Sequence, residues 1–259
     1  MIDRLEKLLR MIVPDLSGLP LYIIDAADMV SRELLVGAPR GFWASDLAVK
    51  SHLLARDRWA GRGPAMVLDL DLIAADVQEF APGDLRRLIQ AVLGIGLHEM
   101  AHGLQLPFDL HEPNDYAECE QQQHVAELLS TAAAELWARF PPDLPKCVAH
   151  ELPFIRAALH LHYRAEQADA KILPECVVDA TQYELSSTDN YRRALGDEPQ
   201  RMADETFAII RDTTPPRAFA KLWCDDVRQT FLPDRNVSSR AAKYFIDELI
   251  RWVPASKGE

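Results

Sequence analysis

Residues 94–104 read Gly94-Ile-Gly-Leu-His98-Glu99-Met-Ala-His102-Gly-Leu104. Two histidines stand four positions apart, with a glutamate directly after the first. On a helix that spacing stacks both imidazoles on one face. Every other residue of the stretch is uncharged, which suits a buried helix and not a solvated one. Upstream, Asp84 is a fair N-cap, and Leu85, Leu88, Ile89, Val92 and Ile95 recur on one side. The pattern predicts one helix from Asp84 to about residue 105, ending before Pro107. Gly94 and Gly96 inside it each cost roughly 1 kcal/mol against Ala, so close packing by a neighbouring element is expected there.

On the N-terminal side, residues 1–10 mix leucines with both charges and read as an amphipathic helix, not as a secretory leader. Leu21-Tyr-Ile-Ile-Asp25 reads as a strand. Ala65–Ile73 follows the turn signal Gly61-Arg-Gly-Pro64 and alternates after residue 67, so it reads as a second strand. Asp69 and Asp71 then share one face of it, a solvated side more often than a second metal site. Leu34–Val36 and Gly41–Trp43 are candidates for shorter strands.

Beyond the motif, Tyr116–Phe140 is expected to be helical, with Val125, Leu128, Leu129, Ala132, Leu136 and Phe140 at helical spacing. Further helices are expected over 150–170, 174–195, 199–212, 216–231 and 237–252, divided by prolines. The fold class is α+β: a small N-terminal sheet and a predominantly helical remainder. Residues 1–140 form the expected core, and residues 141–259 a helical region packed on it.

Composition narrows the function classes. Among 259 residues, 48% are hydrophobic and 26% charged, as in an ordinary globular protein. The formal net charge of −12 offers no electrostatic footprint for nucleic acid. No run approaches about eighteen consecutive apolar residues, so no membrane partner is expected. Cys119, Cys147, Cys176 and Cys224 form no Cys-x-x-Cys pair. They read as scattered thiols of a cytoplasmic protein, not as a thiolate zinc site. Nothing in the chain speaks to its oligomeric state.

The chemistry gathers on the quoted helix. His98 and His102 can grip one divalent ion together, and Glu99 can reach a water held by that ion. Zinc brings such a water to a pKa of about 7, where a carboxylate can take its proton. Chance alone would produce His-Glu-x-x-His in a chain this long on the order of once in a hundred. The motif resembles the active-site helix of the zincin metallopeptidases. That resemblance implies a zincin-like fold, one Zn2+ held by His98 and His102, Glu99 as catalytic base, and a peptide or protein substrate.

A catalytic zinc usually has three protein ligands. Gln105 and Phe108 stand where the metzincin branch has glycine and a third histidine, so that pattern is excluded. The gluzincin branch implies a glutamate from the following helix. Taking about 100° per residue, Glu118 falls near the middle of the apolar stripe of the 116–140 helix. A carboxylate on a buried face needs a cation, so Glu118 is the preferred third ligand. Glu120 and His124 remain alternatives, and Gln122 is a candidate to orient a ligand histidine.

His160 and His162 are two apart and cannot chelate together on a helix. One could face the reaction oxyanion, although a structural role is the plainer reading. His111 sits in the expected loop between the two helices and could approach the metal or the substrate. By analogy with zincins, the strand near 65–71 would lie beside the active helix and pair with extended substrate. The competing class is a catalytically silent zincin-like binding or regulatory module.

Overall fold

The computed structural model describes residues 1–19, 21–28, 40–47, 63–104, 152–173 and 187–231. Helix α1, Ile2–Ile12, buries Leu5, Leu8, Leu9 and Ile12 along one face and ends before Pro14. Strands β1, Tyr22–Asp25, β2, Gly41–Leu47, and β3, Gly63–Leu68, form a three-stranded sheet in the order β1-β3-β2. β1 runs parallel to β3, with Tyr22 opposite Ala65. β2 runs antiparallel, with Gly41 opposite Leu68, and its register shifts by one residue between Ala44 and Leu47. Ala65 to Leu68 are wholly buried, as expected of a strand paired on both sides.

The expected strand over 65–73 is half right. It stops at Leu68, because Asp69 caps a helix: its Oδ1 accepts from the Leu72 amide at 2.9 Å. Helix α2 runs Leu70–Phe80 and turns Ile73 into the core. Asp69 and Asp71 are therefore a cap and a first-turn acid, not a pair on one sheet face. The alternation of leucine and aspartate satisfied both periodicities, and the cap decided between them.

Helix α3, Leu85–Leu104, follows the expected bounds closely. Asp84 is its cap, accepting from the Arg87 amide at 3.0 Å. Leu85 was expected on the buried side but is 63% exposed, and burial becomes continuous only from Ala91 to Ala101. Gly96 has the close neighbour expected of it. A Cβ there would lie 2.5 Å from Leu5 Cδ2 of α1.

Helix α4, Leu152–Gln167, packs along α3 and is buried over most of its length. Helices α5, Thr188–Leu195, α6, Glu198–Arg201, α7, Phe207–Asp212, and α8, Arg217–Phe231, follow. The single helix expected over 199–212 is thus two short pieces. Arg164 of α4 explains the break. Its Nη2 donates to the carbonyls of Met202 (2.9 Å) and Glu205 (2.5 Å), and its Nη1 donates to the carbonyl of Ile12 (3.0 Å). α7 then starts afresh. Asp15 accepts from the amides of Phe207 and Ala208, and Thr206 accepts from Ile209.

One continuous hydrophobic core runs from Leu5 through α3 and α4 to Trp223. No described helix is long and apolar enough to cross a membrane. The structure is mostly helical with one small sheet, an α+β arrangement at the coarse level. The expected elements at 34–36, 116–140 and 237–252, and the first half of 174–195, lie outside the described residues.

Candidate metal-binding helix

α3 carries the motif through the middle of the molecule, between the sheet on one side and α4 on the other. His98 is 7% exposed and Glu99 6%, while His102 is half-buried near the C-terminal end of the helix. The two imidazole centroids lie 5.0 Å apart with their planes 76° apart. With Zn–N near 2.1 Å and tetrahedral angles, two imidazoles on one ion have centroids about 5.2 Å apart. The observed separation suits joint ligation.

Phe154, from the first turn of α4, is fully buried against both rings. Its centroid is 4.9 Å from His98 and 4.5 Å from His102. The three rings form a nearly equilateral cluster that fixes the imidazoles from the α4 side. From the sheet side, β2 lies against α3. A Cβ on Gly41 would stand 3.2 Å from Glu99 Oε1 and 2.9 Å from the Val67 carbonyl oxygen. One on Gly103 would stand 2.5 Å from Trp43 Cζ2. The missing side chains leave room for the Glu99 carboxyl at Gly41 and for the Trp43 indole at Gly103.

Burial pushes the Glu99 carboxyl up from its ordinary range to about 8. A nearby cation would work in the opposite sense, since it favours the carboxylate.

β3, expected beside the active helix as an edge strand, is instead the central strand of the described sheet. β2 is one of the two edge strands of the described sheet, β1 being the other, and touches α3 through Gly41 and Trp43. Gly41–Trp43 had the look of a short strand, but no sequence signal tied it to the motif. Phe154 was equally silent, being one aromatic among nine phenylalanines.

Among the described residues, no cluster of three or more His, Cys, Asp or Glu side chains is placed to hold a metal. Glu118, Glu120, His124, Gln122 and His111 lie outside the described residues.

His160 and His162 are occupied elsewhere. His160 Nε2 meets Glu198 Oε1 at 2.8 Å, and Arg156 Nε donates to that same oxygen at 2.8 Å. Burial pushes His160 below its ordinary pKa against the opposing pull of Glu198, while Arg156 and Arg164 reinforce the decrease. The ring is then neutral and donates through Nε2, and its buried Nδ1 has no partner among the described residues. Burial alone would raise Glu198. The hydrogen bonds and charges of His160 and Arg156 outweigh it and hold the carboxyl below its usual range. His162 lies against Arg192 Nη2 at 3.2 Å, and burial lowers its pKa too. Both histidines therefore make structural contacts.

No family model, no curated protein and no solved structure matches this chain.

Proposed function

We propose that the chain is a zinc-dependent hydrolase of the zincin type, with a gluzincin-like ligand set, acting on an amide bond of a peptide or protein. The reading rests on one observation above all. His98 and His102 stand at a separation compatible with two ligands of one ion, with a buried carboxyl group beside them on the same helix.

In this reading His98 and His102 hold one Zn2+, and Glu118 is the preferred third ligand. When bound, zinc polarises the scissile carbonyl and acidifies water. Glu99 takes the proton from the attacking water and returns it to the leaving amine. Phe154 keeps the imidazoles in one orientation and excludes water from their α4 side. β2, the edge strand that packs against α3, is the strand along which extended substrate would pair. A cytoplasmic setting belongs to the same proposal and rests on the scattered spacing of the four cysteines.

The second reading, a silent module on the same scaffold, draws support from Phe154, whose ring covers both imidazoles. One experiment separates the two. Purified protein is loaded with zinc, its metal content measured, and a peptide library digested with wild type and Glu99→Gln. The hydrolase reading expects one zinc per chain in both proteins and cleavage by wild type only. Zinc uptake without cleavage by either protein supports the module. Cleavage by both refutes Glu99 as the base.

A further inference from the structure

About two turns beyond Phe154, α4 carries a buried ring that the proposed hydrolysis does not use. His162 is 2% exposed. Arg192, in the last turn of α5, sets one nitrogen, Nη2, 3.2 Å from its Nδ1 and 3.4 Å from its Nε2. A point in the ring plane so nearly equidistant from both nitrogens would overlap the carbon between them. The guanidinium nitrogen therefore lies over the face of the ring, not at one lone pair. Such a contact is attractive while the imidazole is neutral, whichever tautomer it adopts.

Two charged groups face the ring among the described residues. Glu166, one turn on along α4 and half-exposed, brings Oε2 to 3.4 Å from Nδ1, and Arg192 is the other. α1, α3, α6 and α7 also pack on α4, and their described residues turn no charge toward His162. Glu198 of α6 is taken by His160 and Arg156. A proton on His162 would set two cations face to face, with one exposed carboxylate beside them. Arg192 is free to leave: its side chain is 44% exposed, and Asp189 on its own helix stands 3.8 Å away. The buried imidazolium is not, and it keeps Glu166. α5 has a separate hold on α8, where Tyr191 packs edge-on against Phe219 and its hydroxyl donates to Asp226 at 2.7 Å.

We infer that Arg192 and His162 form a proton-operated latch between α5 and α4, closed over the neutral imidazole and open over the charged one. Opening loosens α5 from α4 and leaves it attached to α8. The inference does not depend on zinc or on Glu99.

The test is hydrogen–deuterium exchange of the full chain at pH 7 and pH 5, corrected for intrinsic rates, with the His162 ring followed by NMR. On acidification the α5 amides are expected to quicken about two- to fivefold more than those of α3, the worth of a cation held over an aromatic face near the surface. His162→Gln, which cannot take the proton, should lose that difference. In Arg192→Gln no cation stands over the ring, so the His162 titration midpoint should move upward, which a merely structural contact would not cause. Circular dichroism reports whether each variant is folded, and the wild type alone is decisive. A ring still neutral at pH 5, or a protonated ring with α5 and α3 quickening alike, would overturn the inference. So would an unmoved midpoint in folded Arg192→Gln, or an undiminished difference in folded His162→Gln.

Discussion

Replacing Gly103 by alanine tests how tightly β2 is held against the motif helix. Alanine is the better helix former, and the change alone is worth up to about 1 kcal/mol of stability, the interior value, for Gly103 in the last turn of α3. Against that stands Trp43. The new Cβ would sit 2.5 Å from Cζ2 of the indole, roughly 1 Å inside ordinary contact. A ring body cannot turn aside as the tip of a flexible chain can, so strand or helix must shift. Overpacking of this kind costs about 1–3 kcal/mol. Gly103→Ala is therefore expected to destabilise by about 1 kcal/mol, or about 2–4 °C in Tm for a chain of this size. The discriminating measurement is a double-mutant cycle by urea unfolding. With Trp43→Ala in the background the clash is gone, and Gly103→Ala should become stabilising by up to about 1 kcal/mol. The coupling is then up to about 2 kcal/mol, within the range for residues in contact. If Gly103→Ala stabilises both backgrounds alike, the close approach of β2 to α3 is wrong.

Glu198→Gln should cost about 3–5 kcal/mol, because Arg156 keeps its charge in the interior without a carboxylate. A loss below 1 kcal/mol in chemical denaturation would show that the pair is not buried in solution. In a Glu99→Gln background, which removes the opposing proton uptake of a carboxyl raised to about 8, stability should also fall on acidification below about pH 6.5. His160 and His162 are held below their ordinary pKa, so the unfolded chain binds protons there that the folded chain refuses, and folding loses ground until the native values are passed. Unfolding free energies flat from pH 7 to 5 would contradict this. Asp15→Ala removes two amide acceptors at the start of α7 and is expected to cost about 0.5–2 kcal/mol, read from the urea midpoint. His98→Ala and His102→Ala should each abolish stoichiometric zinc uptake by metal analysis, and full uptake by either single variant would exclude shared ligation.

Much of the fold was legible because local chemistry decided it. The caps at Asp84 and Asp69, the apolar face of α1 and the prolines before the later helices are all local signals. At Asp69 the signal is ambiguous, since a leucine–aspartate alternation obeys two periods at once. The break between α6 and α7 could not be read from 199–212, because its cause, Arg164, lies some forty residues upstream. The site divides in the same way. The spacing of His98, Glu99 and His102 is local and visible, whereas Phe154, Trp43 and Gly41 reach the motif through tertiary contacts that leave no periodic trace. Which residues answer the motif from beyond Leu104 is a question for Glu118 and its neighbours.

The fan of hydrogen bonds from Arg164 has a practical consequence. One guanidinium fastens the end of the first helix to the segment that launches α7, so the opening dozen residues act as a keystone for helices nearly two hundred positions later. Trimming the N-terminus to tidy an expression clone would strip a carbonyl from that cation and loosen the far half of the molecule, whatever happened at the histidines.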